Sequence, residues 1–393
     1  CLSTITLGGI IMDIQPFHIH VPESDLSDLL DRLILTRWPD EIEGAEWDYG
    51  SNLAYTKELV EYWISEFEWR PQEASLNSLS NFRAEVDDGL SIHFIHEKGV
   101  GPDPMPLIIT HGWPSSIAEM QKIIPLLTDP GSHGGDPADA FDVVVPSMPG
   151  YGYSDRPKNP GMNPTEIARL WHKLMTEGLG YERFAAQGGD WGSAITSRLG
   201  FDYPDNVAGI HITMAGSVVP TPPDSELTDA ERQHVAERAE WQQSEGGYGH
   251  IQGTKPQTLA YGLNDSPAGL AAWIVEKFRT WSDCNGDVET RFTKEELLTN
   301  IAIYWFTQSI SSSVRLYYES RRSSSAFGFR EKVTVPTAFA AFPVEIGPPP
   351  REWVERAYNV QRWTQMPTGG HFAAQEEPEL LAQDIREFFR TVR

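Results

Sequence analysis

The sequence predicts an α/β protein: a mostly parallel central sheet, a helical unit inserted into it, and a mixed helix and loop extension at the N-terminus. Three observations carry this. Between about 95 and 216, short apolar strands alternate with amphipathic helices, which implies parallel strands joined by right-handed crossovers. Between about 217 and 333 the strand signals stop, and they return at Val333-Thr334-Val335-Pro336-Thr337-Ala338-Phe339-Ala340. At Gly188-Gly189-Asp190-Trp191-Gly192 a short apolar run turns abruptly into a helical one. The expected units are therefore 12–94 (extension), 95–216 (first half of the core), 217–333 (helical insertion) and 334–393 (second half of the core).

Within the extension, Leu26, Leu29, Leu30 and Leu33 have helical spacing, so one face is apolar. Asp88-Gly89 separates two strand-like runs and signals a hairpin. In the core, Leu107-Ile108-Ile109-Thr110 and Phe141-Asp142-Val143-Val144-Val145 read as buried strands. The stretch from Asp129 to Asp139, rich in Gly, Pro and Asp, reads as a solvent loop, not a phosphate cradle. Asn163-Pro164-Thr165-Glu166 supplies an N-cap, a first-turn proline and an acidic third residue. Ile167, Leu170, Trp171 and Leu174 then form the buried stripe of that helix. Phe184-Ala185-Ala186-Gln187 is a strand, residues 193–199 a helix and 207–214 another strand. In the insertion, Pro220, Pro222 and Pro223 mark the exit from the core, and Thr228-x-x-Glu231 and Thr293-x-x-Glu296 are capping boxes. A mixed strand is expected over 360–366. The last helix carries Leu380, Leu381, Ile385, Phe388 and Phe389 on one face.

Composition narrows the function. At 393 residues with 40% hydrophobic content, the chain can bury a large core. The formal charge, 31 − 56 = −25, argues against nucleic acid and anionic membrane surfaces as partners. The 13 Trp and 17 Phe suit apolar cavities, although core packing alone could use them. Two cysteines, Cys1 and Cys284, make no disulfide framework, and a cytoplasmic location is the simplest expectation. Leu2 to Met12 is mildly apolar but too short to span a bilayer, and Met12 could be the natural start. His18, His20, His93 and His96 lack convergent carboxylates or cysteines, so no metal is expected.

The pentapeptide 188–192 carries the chemistry. A strand, a Gly-x-nucleophile-x-Gly turn and a helix form a nucleophile elbow, here with aspartate in the nucleophile position. A carboxylate there can attack an electrophilic carbon and form an ester, which a second step must hydrolyse. A plain Gly-Asp turn is the competing reading of the five residues alone. After the strand at 107–110 comes His111-Gly112-Trp113-Pro114. The backbone N–H groups of Trp113 and Trp191 are the candidate oxyanion donors. Gly369-Gly370-His371-Phe372 lies near the C-terminus, and the order Asp190 then His371 fits a hydrolase triad.

These motifs together resemble the epoxide hydrolases of the α/β-hydrolase fold, of the microsomal type with an N-terminal meander domain. The resemblance rests on His111-Gly112-Trp113-Pro114, on Pro146-Ser147-Met148-Pro149-Gly150-Tyr151-Gly152, on Gly188-Gly189-Asp190-Trp191-Gly192, and on Gly369-Gly370-His371-Phe372-Ala373-Ala374 with Glu376-Glu377-Pro378. Val21-Pro22-Glu23, Leu35-Thr36-Arg37-Trp38-Pro39-Asp40 and Trp47 match the family's extra domain. The resemblance covers the chain from about Ile14 onward.

The resemblance implies hydrolysis of a small-molecule epoxide, either a xenobiotic or a natural-product intermediate, to a vicinal diol through an aspartyl ester, with no cofactor, no nucleic acid and no membrane. Asp190 would be the nucleophile and His371 the water-activating base. Glu345 fits the charge-relay acid by position and by family pattern, with Glu352 and Glu355 as competitors on a solvated helix face. Glu376 and Glu377 read as acids at the start of the last helix. Two cap tyrosines would polarise the epoxide oxygen. Tyr248 and Tyr317 fit, with Tyr318 and Tyr304 as alternatives. Trp113, Trp191 and Phe372 are candidate walls of the substrate pocket, and His111 reads as a structural hydrogen-bonding residue. A homodimer is compatible with the sequence. A haloalkane dehalogenase shares the Asp, His and Trp pattern but has no use for the tyrosines. A non-enzymatic binding protein would not need Asp190, Glu345 and His371 together.

Overall fold

The structure, a computed structural model, describes residues 12–87, 89–215, 219–323, 327–328 and 331–393. Cys1, the stretch before Met12 and Asp88 of the hairpin signal lie outside the described residues.

Among the described residues nine strands form one sheet. They are β1 (Ile14–Pro16), β2 (Asn81–Asp87), β3 (Leu90–Glu97), β4 (Met105–Thr110), β5 (Phe141–Pro146), β6 (Phe184–Gly188), β7 (Val207–Ile212), β8 (Val333–Ala341) and β9 (Tyr358–Gln365). Their order across the sheet is β1-β2-β3-β5-β4-β6-β7-β8-β9. The first three pair antiparallel, as does β3 with β5, and the remaining pairs are parallel. This is the mostly parallel α/β sheet that the sequence predicts. Every residue of β5, β6 and β7 is buried, and these segments are mostly apolar or small, with Asp142, Gln187 and His211 as the buried polar exceptions. A sheet covered by helices on both faces requires that composition.

The helices that cover it start where the sequence signals them. Pro164–Lys173 begins with the Asn163 side chain accepting from the Glu166 N–H, and it buries Ile167, Leu170 and Trp171. Trp171 also donates its indole N–H to Thr110 Oγ1 at 3.1 Å, fixing the helix over the end of β4. In the extension, Glu23–Ile34 buries Leu29 and Leu33, but Leu30 stays 40% exposed, so the apolar face is narrower than its spacing suggests. Between β7 and β8 the described residues are mainly helical, and both capping boxes form, at Thr228 with Glu231 and at Thr293 with Glu296.

The 129–139 stretch differs from the open loop expected of it. It folds into two short 3-10 turns, Pro130–His133 and Pro137–Asp139, capped by the side chains of Asp129 and Asp136. Asp139 is buried and pairs with Arg390 of the terminal segment. Short polar side chains bonding to nearby backbone produce such turns from a composition that otherwise reads as unstructured.

Behind the sheet, Asp384 of the last helix ties three elements together. It accepts from His211 Nε2 on β7 at 2.9 Å, and from Arg362 Nε and Thr364 Oγ1 on β9, both at 2.6 Å. Burial alone would raise its pKa, but the hydrogen bond and charge of His211, with Thr364 and Arg362, outweigh that and hold it at about 2. A carboxyl depressed from an unfolded value of about 3.9 stabilises the fold above that pH and loses the contribution as pH falls toward 2. Asp384→Ala should therefore cost about 3–5 kcal/mol at neutral pH, because it strands a buried network. The difference from wild type should shrink between about pH 4 and pH 2. Urea unfolding from neutral pH down to about pH 2 checks both statements, and equal midpoints at neutral pH would refute the first.

Candidate active site

The site grows from the end of β6. Asp190 opens the helix Asp190–Asp202 and has φ +47°, in the left-handed region that non-glycine residues rarely occupy. Such strain is of order 1–3 kcal/mol and is held by the surroundings. Those surroundings are close-packed. A Cβ on Gly192 would lie 1.9 Å from the Thr110 carbonyl oxygen of β4, and one on Gly112 would lie 2.4 Å from the Asp190 Cβ. Helix, strand and the 111–114 loop therefore meet at distances only glycine permits.

One carboxylate oxygen of Asp190 faces the 111–114 loop. The Trp113 N–H donates to Oδ1 at 2.8 Å. Trp191 follows Asp190 in the first helical turn, where N–H groups have no acceptor inside the helix. The other oxygen, Oδ2, lies 3.5 Å from His371 Nε2. His371 Nδ1 is 2.5 Å from Glu345 Oε1, and both side chains are buried. Glu345 also accepts from the Ile346 N–H at 2.7 Å. Asp190, His371 and Glu345 thus form one continuous line. Glu352 and Glu355 lie on the helix Arg351–Ala357 and bond elsewhere, to Thr228 and Arg351 respectively.

Burial pushes the His371 pKa down, but the charge of Glu345, its hydrogen bond to Nδ1 and the nearby Asp190 carboxylate outweigh it. The imidazolium is favoured, with a pKa well above 6.5. Two further acids lie around this line. Burial raises Glu119 to about 7 against the hydrogen bond from Ser115 and the charge of His371, and it raises Glu376 to about 7 against backbone N–H donors.

Tyr248 and Tyr317 converge on the same place from the inserted helices Gly247–Gln252 and Arg315–Arg322. The Tyr248 ring stacks on Trp113 at 5.5 Å and 8° between planes. The Tyr317 ring meets Trp113 at 5.7 Å and Trp191 at 4.9 Å, both edge-on. The two phenol rings are 5.9 Å apart. Burial, then nearby negative charge, raises both phenols, Tyr317 well above 10, so both keep their protons at neutral pH. The neighbourhood of Tyr248, glycine-rich in sequence, is helical. Of the alternatives, Tyr304 spends its hydroxyl on the Ser115 carbonyl at 2.7 Å, and Tyr318 lies under Arg322.

Phe372 is buried, stacked on Phe278 at 4.0 Å with its edge toward His371. His111 bonds within the motif loops, to the Gly112 carbonyl and the Met148 N–H. His93 uses both ring nitrogens on Asn81 and Ser147, and no group of three possible metal ligands occurs among the described residues.

Several contacts were not legible in the sequence. Asn300 donates to the Pro114 carbonyl at 2.8 Å, so Asn300 and Tyr304 of the helix Lys294–Phe306 hold the loop that carries Trp113. The His371 N–H donates to the Trp281 carbonyl at 2.9 Å. Glu376, which the sequence places at a helix start for dipole reasons, instead accepts from the Asp283 and Phe372 N–H groups and joins the histidine loop to the insertion. Side chains bonding to distant main-chain carbonyls and amides leave no spacing signature.

Residues 14–120 match the epoxide hydrolase N terminus model, and residues 105–266 match that of the alpha/beta hydrolase fold. The fold and site are those of an α/β hydrolase. The chain is 41% identical to epoxide hydrolase 1 of Oryctolagus cuniculus, over 95% of this chain and 88% of that protein. The crystal structure of juvenile hormone epoxide hydrolase from Bombyx mori superposes with TM-score 0.83 at 32% identity, covering 97% of this chain and 94% of that one. The Aspergillus niger epoxide hydrolase gives TM-score 0.85 at 30% identity, covering 98% and 97%. The chain belongs to the epoxide hydrolase family and is an epoxide hydrolase acting on a small-molecule epoxide. No helix among the described residues is long and apolar enough to cross a membrane.

The packing at Gly192 yields a test. Gly192→Ala must push the elbow away from the Thr110 carbonyl, a backbone atom that cannot swing aside. The variant should melt several degrees lower, in line with an overpacking cost of about 1–3 kcal/mol, and lose nearly all epoxide turnover. Wild-type turnover in Gly192→Ala would show that the close approach is dispensable.

Proposed function

We propose that this epoxide hydrolase works through a covalent ester on Asp190. The observation that carries the reading is the placement of one carboxylate between a backbone donor on Oδ1 and an imidazole 3.5 Å from Oδ2. Oδ2 attacks an epoxide carbon from behind. Oδ1, bonded to Trp113 N–H, becomes the ester carbonyl oxygen and then the oxyanion during hydrolysis, with the Trp191 N–H as second donor. Each such donor contributes on the order of 100- to 1,000-fold in rate.

Tyr248 and Tyr317 donate to the epoxide oxygen as the ring opens. Their raised pKa values keep the protons on the phenols until alkoxide charge develops. His371, oriented by Glu345, then removes a proton from the water that attacks the ester. The charge environment orders the two steps. Before attack, His371 lies between two carboxylates and is held as imidazolium. Ester formation neutralises Asp190 and removes its share of that stabilisation, which lowers the His371 pKa; the ring releases its proton to solvent, acts on water as the neutral base, and regains a proton from solvent once hydrolysis restores the Asp190 carboxylate. The helices of 217–333 serve as a cap over the nucleophile, and 12–94 as an extension packed beside it. The scheme needs no cofactor, and it suits a cytoplasmic enzyme.

Trapping separates the half-reactions. In heavy-oxygen water, the first-turnover diol from wild type should carry light oxygen from Asp190, and Asp190→Ala should form no diol. Heavy oxygen in that first diol would exclude the ester. His371→Gln should accumulate enzyme plus one substrate mass by mass spectrometry. In wild type, hydrolysis of the ester should speed up as pH rises through the lowered His371 pKa.

The tyrosines are tested by single-turnover ester formation. Tyr248→Phe and Tyr317→Phe should each slow it by roughly tenfold to a thousandfold, and the double variant should nearly abolish it while leaving ester hydrolysis intact. A double variant that opens styrene oxide at the wild-type rate would remove both phenols from the mechanism.

A further inference from the structure

The helix Pro267–Trp281 places Trp273, Glu276, Lys277 and Thr280 on one face, and all four line a cleft of about 770 Å³ that has Tyr248 on its wall. Lys277 is unusual among them. It is only 5% exposed, yet its ammonium has a single hydrogen-bonding or ionic partner among the described residues, Oε2 of its neighbour Glu276 at 2.5 Å. An ammonium has three donors, and a buried one is costly to leave underused. The nitrogen lies instead over aromatic faces. It is 4.8 Å from the centroid of the Tyr248 ring and 5.6 Å from that of Trp281. No cation lies over the Tyr317 ring among the described residues.

The charges around Tyr248 give this cation a purpose. Asp190, Glu276 and Glu245 all disfavour negative charge on the Tyr248 oxygen. Lys277 is the cation set against the same ring, in surroundings where burial strengthens electrostatic effects. Thr280 Oγ1 donates to Glu276 Oε1 at 3.2 Å and draws part of the neighbouring negative charge away from the pair.

We propose that Lys277 is a positioning residue for the acid step: its ammonium supports the charge that Tyr248 acquires while donating its proton, and so makes Tyr248 the main donor of the tyrosine pair. The proposal rests on the role given to the tyrosines above. As the bond from Asp190 Oδ2 to carbon forms, the ring carbon–oxygen bond breaks. Its electron pair passes to the ring oxygen, which takes the Tyr248 proton. The water consumed later restores the balance. Its oxygen adds to the ester carbonyl carbon, one of its protons ends on the departing diol oxygen, and the other returns to the Tyr248 phenolate.

The test is a double-variant cycle on single-turnover ester formation with styrene oxide. Lys277→Met should slow ester formation by about ten- to thirtyfold, the range for a desolvated cation over an aromatic ring, and leave ester hydrolysis unchanged. Lys277→Arg should restore most of the rate. In a Tyr248→Phe background, Lys277→Met should add no further loss, because there is no phenol left to assist. Equal slowing in both backgrounds, or no slowing in Lys277→Met, overturns the proposal. If stranding Glu276 unfolds Lys277→Met, the pair Glu276→Gln with Lys277→Met removes both charges and carries the same comparison. Failure of the tyrosine reading shows separately, as a wild-type rate in Tyr248→Phe alone, whatever Lys277→Met does, and it would take the proposal with it.

Discussion

The architecture of the site depends on the left-handed backbone at Asp190. A residue at φ +47° does not hold itself there, and the structure supplies the restraint by crowding. Gly192 lies against the Thr110 carbonyl and Gly112 against the Asp190 side chain. Those contacts need β4 and β6 side by side in parallel register, with Thr110 opposite Gly188. They also need a crossover helix that starts immediately after β6. Sheet order, strand register and glycine placement are thus consequences of one requirement: a carboxylate must stand clear of the sheet edge while its backbone stays buried.

The inserted helices do more than cover that carboxylate. They grip the two loops that frame it, and in each case by the main chain. Asn300 and Tyr304 bond to consecutive carbonyls, Pro114 and Ser115, so the Trp113 N–H is set from the insertion side. The Trp281 carbonyl and the Asp283 amide are bonded to the His371 N–H and to Glu376. Arg291 extends the second grip by bridging Asp283 and Glu377. Buried hydrogen bonds of this kind are expensive to break. The insertion and the two loops are therefore tied together through main-chain hydrogen bonds. A substitution in the helix Lys294–Phe306 would be felt at Asp190 without touching it.

How far the sequence discloses all this varies by residue. Strand runs such as 141–145, the caps at Asn163, Thr228 and Thr293, and the elbow at 188–192 are local features, and local rules find them. Asp190 and His371 are legible because each sits in a motif that follows a strand-like run, and Glu345 through its position after such a run together with the family pattern. Tyr248 and Tyr317 were reachable only through family likeness, since nothing in a helix of mixed polarity distinguishes a tyrosine that faces a cavity from one that packs. Glu376 was misread because its charge suits a helix start, and only the fold brings the Asp283 amide to it. Lys277 was invisible. One cation on an amphipathic helix reads as a solvated residue until the ring beneath it is located. The turns in 129–139 were missed for the opposite reason, since a composition rich in Gly, Pro and Asp can encode structure as well as its absence.

The two acids near His371 bear on the same chemistry. In the mechanism proposed, the base must be imidazolium before ester formation and neutral after it, and a change of one carboxylate has to suffice. Glu119 and Glu376 would defeat that if both were ionised, since further negative charge would hold the proton on His371 after Asp190 is esterified. Burial raises each to about 7, so below that pH they are largely neutral. Their hydrogen bonds fix loop geometry, Glu119 with Ser115 and Glu376 with the Asp283 and Phe372 amides. They hold the loops in place without adding full charges to the line. Under the proposed mechanism the imidazole would then answer mainly to Glu345 and to Asp190, whose charge esterification would remove.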